Sequence, residues 1–203
     1  MQNKFKCFSV LVLLTIVVMN ASVAQELNGA SRDAVIEKIT VATNAVKSLH
    51  NSFVQTKQSK MLKNPVVSEG VMTYKSPNYL RWEYTKPEKV VVSVNGNAVQ
   101  MTRNGVKSDG SANRMVSGLA STIMGCVSGA HIFDESSFVV SVFELSDAYQ
   151  VQLVPRSRKM KRMFQSITIS FDKKSFEVSS VVLAEKSDVS TTIRFTPIVE
   201  KAS

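Results

Sequence analysis

After His50 the apolar residues stop recurring at helical spacing and begin to alternate, and with one interruption they alternate to the end of the chain. Alternation puts every second side chain on one face, the signature of a half-buried strand. Candidate strands run from Phe53 to Gln58, Ser68 to Lys75, Tyr79 to Tyr84, Lys89 to Val94 and Ala98 to Thr102, with a short one at Val106. After the interruption come Phe138 to Leu145, Tyr149 to Val154, Phe164 to Phe171, Phe176 to Ala184 and Val189 to Thr196. The gaps are short and rich in turn residues: Asn64-Pro65, Asn95-Gly96, Asn104-Gly105, Ser146-Asp147, Asp172-Lys173 and Ser187-Asp188. Asn-Gly is a strong hairpin signal, because both residues tolerate positive φ. Connections this short join antiparallel neighbours, since parallel strands need a crossover of a dozen residues or more. The expectation is a mainly β chain with helices (α+β), about ten or eleven strands in one antiparallel meander.

Two stretches keep helical spacing. Ser31 is placed to cap a helix whose apolar stripe is Val35, Ile36, Ile39, Ala42, Val46 and Leu49, with Asp33 near its positive end. Between Asn113 and Ser128, Met115, Leu119, Ile123 and Val127 recur every four residues, and Val116, Ala120 and Met124 widen the stripe. Gly118 and Gly125 weaken that second helix by ~1 kcal/mol each relative to Ala. It reads as a slim helix held by packing and able to move.

The first 24 residues set the compartment. Lys4 and Lys6 precede an apolar run from Val10 to Met19, and Ser22-Val23-Ala24 supplies the small residues of a cleavage site. The run is well short of the ~20 residues that span a bilayer. The expectation is therefore a signal peptide over 1–24 and one exported domain over 25–203, periplasmic and monomeric. Losing Lys4 and Lys6 lowers the net charge from +9 to +7, and Cys126 becomes the sole cysteine, so no intramolecular disulfide can form.

Catalytic signatures are sparse. His50 and His131 have no Cys, Asp or Glu at ligand spacing, and neither a Gly-x-Ser-x-Gly elbow nor a phosphate-cradling glycine loop occurs. The expectation is no catalytic residue, no metal and no cofactor. Arg156, Arg158, Lys159, Lys161 and Arg162 crowd the gap between two strands, read as a solvated loop or a patch for an acidic partner or anionic headgroups. No aromatic-interleaved platform accompanies them, so nucleic acid is not expected.

In order, Phe53-Val54-Gln55-Thr56, Glu69 to Tyr74, and Ser76-Pro77-Asn78-Tyr79-Leu80-Arg81-Trp82 resemble the outer-membrane lipoprotein carrier family, LolA. Pro87, Asn95-Gly96, Leu153-Val154-Pro155, Phe164 to Ile169 and the turn at Asp172 continue the resemblance over nearly all of the mature chain. It implies an unclosed antiparallel β-barrel, a half-barrel, with an N-terminal helix and a mid-chain lid helix enclosing an apolar cavity for lipoprotein acyl chains. It also implies an inner-membrane transporter that releases cargo and an outer-membrane acceptor.

Independently of the resemblance, Met72 and Tyr74 share a strand face, as do Leu80, Trp82 and Tyr84. With Val92, Met101, Met115, Leu119 and Ile123 they form the candidate lipid-binding cavity, and Leu80 is expected at its mouth. A core filled by the same side chains has the same composition and stays open. Two departures from the family concern its gate and its end. Ser76 stands at the gate position, where the family has an Arg that bonds the lid helices, and the chain ends soon after Phe195. Both leave room for a different lipid or glycolipid as cargo. The function expected is a soluble carrier moving acyl chains from inner toward outer membrane. Its rivals are a lipid- or protein-sensing module of the same fold and an exported hydrolase.

Overall fold

The computed structural model describes residues 24–96, 98–107, 124–125, 132–186 and 188–198. Among them, helix α1 (Gly29–Ala45) follows strand β1 (Gln25–Leu27) and precedes a six-strand run. These strands are β2 (Ser48–Ser59), β3 (Val66–Lys75), β4 (Tyr79–Lys86), β5 (Val90–Asn95), β6 (Ala98–Arg103) and β7 (Val106–Lys107). The second run is β8 (Phe138–Glu144), β9 (Ala148–Pro155), the short helix α2 (Arg158–Met163), β10 (Phe164–Asp172), β11 (Val178–Glu185) and β12 (Val189–Pro197).

Twelve antiparallel strands make one sheet in the order β1-β8-β9-β10-β11-β12-β2-β3-β4-β5-β6-β7. The single meander expected is in fact two, β2 to β7 and β8 to β12, joined where β12 pairs with β2 from Val189↔Ser59 to Pro197↔Asn51. The sheet is not closed: among the described residues β1 and β7 are its free edges, which makes it a half-barrel. The additional strand is β1, only three residues long, which pairs with β8 and buries Leu27.

Turn chemistry explains several junctions. Asn104 (φ 49°) and Gly105 (φ 83°) form the two-residue loop between Arg103 and Val106, as their sequence requires. At the preceding hairpin Asn95 is still in the ladder opposite Ala98, so the loop starts one residue later than expected, at Gly96.

Helix α1 departs from expectation at both ends. Asn28, not Ser31, occupies the N-cap, and no acidic residue lies in the first turn, so Asp33 is one turn too late to meet the dipole. The helix stops at Ala45, leaving Val46 and Leu49 outside it. Leu49 also alternates with Asn51 and Phe53, and pairing of Ser48 to His50 with Thr73 to Lys75 takes those residues into the sheet. Within α1, Val35, Ile39 and Thr43 form the buried stripe.

The basic segment is likewise a helix, not an irregular loop. The Ser157 hydroxyl accepts from the Met160 amide and caps α2. Met160 and Met163 then pack against the core while the intervening cations stay exposed. No helix among the described residues is long and apolar enough to cross a membrane.

Candidate functional site

Register brings the predicted residues together in rows across the inner face of the sheet. Asn51, Met72, Trp82, Val92 and Met101 are successive partners across β2 to β6, and Leu49, Tyr74, Leu80, Val94 and Val99 form the next row. Phe53, Gly70, Tyr84 and Val90 make a third. The second meander continues this surface with Val142, Val151, Ile169, Val181 and Ile193, all fully buried. The apolar side chains of these rows form, or pack against, one buried cluster with Val35 and Ile39 of α1 and Ile132.

At its centre lies an aromatic group of which sequence reasoning had only part. Phe53 stacks on Trp82 at 4.1 Å between ring centroids, Tyr84 meets the Phe53 edge at 5.3 Å, and Phe195 meets Trp82 at 6.0 Å. Phe53 and Phe195 are cross-strand partners, so the β2–β12 pairing assembles the group. Gly70 makes room for it. A Cβ there would collide with the Phe53 ring and the Glu83 carbonyl.

Polar groups are few here. The Tyr84 hydroxyl donates to Gln55 Oε1 at 3.0 Å. Burial raises its pKa above the ordinary 10.0, with the neighbouring Trp82 and Gln55 pulling the other way. Trp82 Nε1 is buried and makes no hydrogen bond of acceptable geometry among the described residues. An indole donor left unpaired in an apolar setting costs free energy, and any acceptor brought to it recovers some of that cost.

Leu80 is fully buried, with no exposed surface at all. It lies one pair from the β3–β4 turn, at the strand's start as expected, but it is covered rather than hydrated, flanked by Tyr74 and Val94. Met72, Tyr74, Trp82, Val92 and Met101 are buried too, while Tyr84 is half-buried. Access to this face therefore requires its cover to lift. A void of about 30 Å³ between α1 and the sheet, lined by Thr43, Leu49, Asn51 and Phe176, has room for about one water.

Ser76 is exposed in the β3–β4 turn, where its amide donates to the Lys47 carbonyl at 2.8 Å. Arg81 pairs with Glu83 at 2.8 Å. Met115, Leu119 and Ile123, with Cys126 and His131, lie outside the described residues, as do residues 1–23; Met124 is described, half-buried against the apolar cluster. His50 Nδ1 lies 3.1 Å from the Thr73 hydroxyl. Among the described residues no three His, Cys, Asp or Glu side chains gather to hold a metal.

Of the basic residues, Arg156 donates from Nε to the carbonyls of Glu135 and Phe138, which pins the start of the segment. Arg158, Lys159, Lys161 and Arg162 are exposed, and among the described residues none is in an ion pair.

The family described as outer membrane lipoprotein carrier protein LolA matches residues 44–203, from the end of α1 onward. No curated protein matches the chain in sequence. Solved structures resemble it at low identity. A LolA superfamily protein of Nitrosomonas europaea is 8% identical with a TM-score of 0.42, over 84% of this chain and 94% of that one. The lipoprotein LppX of Mycobacterium tuberculosis is 12% identical with a TM-score of 0.41, over 83% of this chain and 99% of that one. The MucA/MucB complex of Pseudomonas aeruginosa gives 10% identity and a TM-score of 0.45, over 83% of this chain and 56% of that one.

Proposed function

This chain belongs to the outer membrane lipoprotein carrier protein family, LolA, and on that premise we propose that it binds acyl chains against the inner face of its half-barrel and carries them across the periplasm. The observation that carries this reading is the apolar inner face itself: one row runs in register from Val142 to Ile193 across β8 to β12, another from Met72 through Trp82 to Met101 across β3 to β6, and the Phe53–Phe195 pair joins them in one cluster. A packed core needs such a face as well. What favours cargo is that it belongs to an open sheet with two free edges, so only covering segments stand between it and a ligand.

Transfer by this route involves no bond making. Each methylene moved from water to the face is worth ~0.8 kcal/mol, so a pair of long chains outweighs the cost of displacing a cover. Trp82 Nε1, without a hydrogen-bond partner among the described residues, supplies a donor for an ester or amide carbonyl at the chain's polar end. Residues 1–24 act as a cleaved leader and 25–203 as the carrier domain, a monomer. Its partners are the lipoprotein or lipid acyl chains, a releasing transporter at the inner membrane and an acceptor at the outer one.

Two experiments test this. Organic extraction and mass spectrometry of the protein purified from periplasm should recover a stoichiometric acylated lipid or lipopeptide. Pulse-chase transfer between donor and acceptor membranes should then depend on the protein. Empty protein that accelerates no transfer would contradict carriage, and bound lipid without transfer would support a sensing module instead.

A further inference from the structure

Antiparallel register fixes which turns share an end of the sheet. Ser59 of β2 lies opposite Val189 of β12, Lys57 opposite Val66 of β3, Phe164 of β10 opposite Glu185 of β11, and Phe138 of β8 opposite Pro155 of β9. The β2–β3 hairpin tip, the β11–β12 turn, the start of β8 and helix α2 therefore gather at one end. That end has an unusual surface. Met61 is 88% exposed, and Leu62, Val66, Val67, Val139 and Val154 are exposed with it. Val139 and Val154 are cross-strand partners, so they form one outward-facing apolar pair one residue from the strand's end.

Charge at this end is one-sided. Asp188 is held by Lys60 at 2.7 Å, Glu69 by Lys86 at 3.0 Å, and Glu185 by Lys57 at 3.8 Å. Glu135 is held by Arg32 at 2.6 Å, and Asp134 accepts from Ser136 and Ser137. Against these engaged carboxylates stand Lys63, Arg158, Lys159, Lys161, Arg162 and Lys186, exposed and without an ion-pair partner among the described residues. A groove of about 380 Å³ runs beside the hairpin tip, lined by Lys60, Leu62, Pro65 and Asp188.

We infer that this end of the half-barrel docks on the surface of an anionic phospholipid bilayer. Cations alone would equally suit an acidic protein. Here the cations are interspersed with exposed apolar side chains on separate turns that share one rim. That combination matches a headgroup layer, where phosphates take the cations and the interface takes Met61 and Leu62. Helix α2 is built for the task, its methionines inward and its cations outward. The inference goes beyond carriage, since a lipid-sensing protein would need the same surface.

The test is co-sedimentation of the mature chain with vesicles of phosphatidylglycerol and phosphatidylethanolamine, against vesicles of phosphatidylcholine alone. The expected result is binding to the anionic vesicles only, weakened as salt rises, because surface charges are screened over ~10 Å at 0.1 M. Replacing Arg158, Lys159, Lys161 and Arg162 together by Gln should lower vesicle affinity by about a hundredfold or more. M61D/L62D, at two exposed positions of the hairpin tip, should abolish the binding that survives at high salt. Circular dichroism confirms that each variant is folded. Equal binding to both vesicle types, or folded variants that bind like wild type, would overturn the inference. Absence of vesicle binding together with salt-sensitive capture by an acidic polypeptide would overturn it in favour of a protein partner.

Discussion

Gly70→Ala should destabilise this protein far more than a single methyl group suggests. The added Cβ enters the inner face, where the Phe53 ring and the Glu83 carbonyl already lie within contact distance. The ring cannot retreat freely, because it is stacked on Trp82 at 4.1 Å and edged by Tyr84 at 5.3 Å. The carbonyl belongs to β4, which is paired with β3 without interruption from Gly70 to Lys75. Overpacking of this kind costs about 1–3 kcal/mol where side chains can adjust. A backbone obstacle puts this site at the upper part of that range, about 2–3 kcal/mol. The smaller entropy of the unfolded Ala chain returns only about 0.4–1 kcal/mol where the native geometry is strain-free, which this one is not. At about 2–4 °C per kcal/mol for a domain of this size, the melting temperature should fall by about 4–12 °C. Thermal unfolding followed by circular dichroism measures it. Near-UV dichroism from Trp82 should change with it, as the stack is pushed open. Combining the change with Phe53→Leu should give less than the sum of the two losses, because the smaller side chain vacates part of the space. A Gly70→Ala protein that melts within about 1 °C of wild type would refute the claim that this glycine is what lets the aromatic group form.

Other expectations follow from single residues. Leu80→Ala should cost about 2–5 kcal/mol, and Leu80→Glu should prevent stable folding, since the site is fully buried; denaturant titration checks both. Ser157→Ala removes the bond to the Met160 amide and should loosen α2 by about 1 kcal/mol, read as roughly fivefold faster hydrogen exchange of its amides with little change in melting temperature. Asp134, held down to about 2 from 3.8 chiefly by the hydroxyls of Ser136 and Ser137, stays ionised in the fold at a pH where the unfolded chain has taken up a proton. Its stabilising effect is thus complete above about pH 4 and lost as pH falls toward 2. Asp134→Asn should flatten that part of the acid-stability curve, and carboxyl NMR titration should place the midpoint.

The legible parts of the fold were those governed by neighbours in sequence. Asn104-Gly105 specifies its hairpin because the loop needs positive φ at both positions. The alternation of Leu80, Trp82 and Tyr84 specifies a shared face whatever lies opposite. The β12–β2 junction was not legible, since nothing local says that residue 53 will meet residue 195, although this pairing builds the aromatic centre. Leu49 fitted both a helical and an alternating pattern, and only the pairing with Tyr74 decides between them. In α2 the signal was present, a Ser cap followed by methionines three apart, but the density of charge masked it. The candidate face could be assembled from sequence as far as its strands. That Leu80 is sealed from water could not, because burial depends on what covers a face as well as on the face itself.

Trp82 is the chain's only tryptophan and sits in the middle row of the proposed lipid-binding face, which gives the central claim a direct reporter. Fluorescence of the purified protein should be measured during titration with a phospholipid or lipopeptide brominated along its acyl chain, with the unbrominated lipid as control. If acyl chains lie against Met72, Trp82 and Val92, bromine quenches the emission saturably and with a stoichiometry near that of the extracted lipid. Bound brominated lipid that leaves Trp82 emission unchanged would place the cargo elsewhere and make the inner face a closed core.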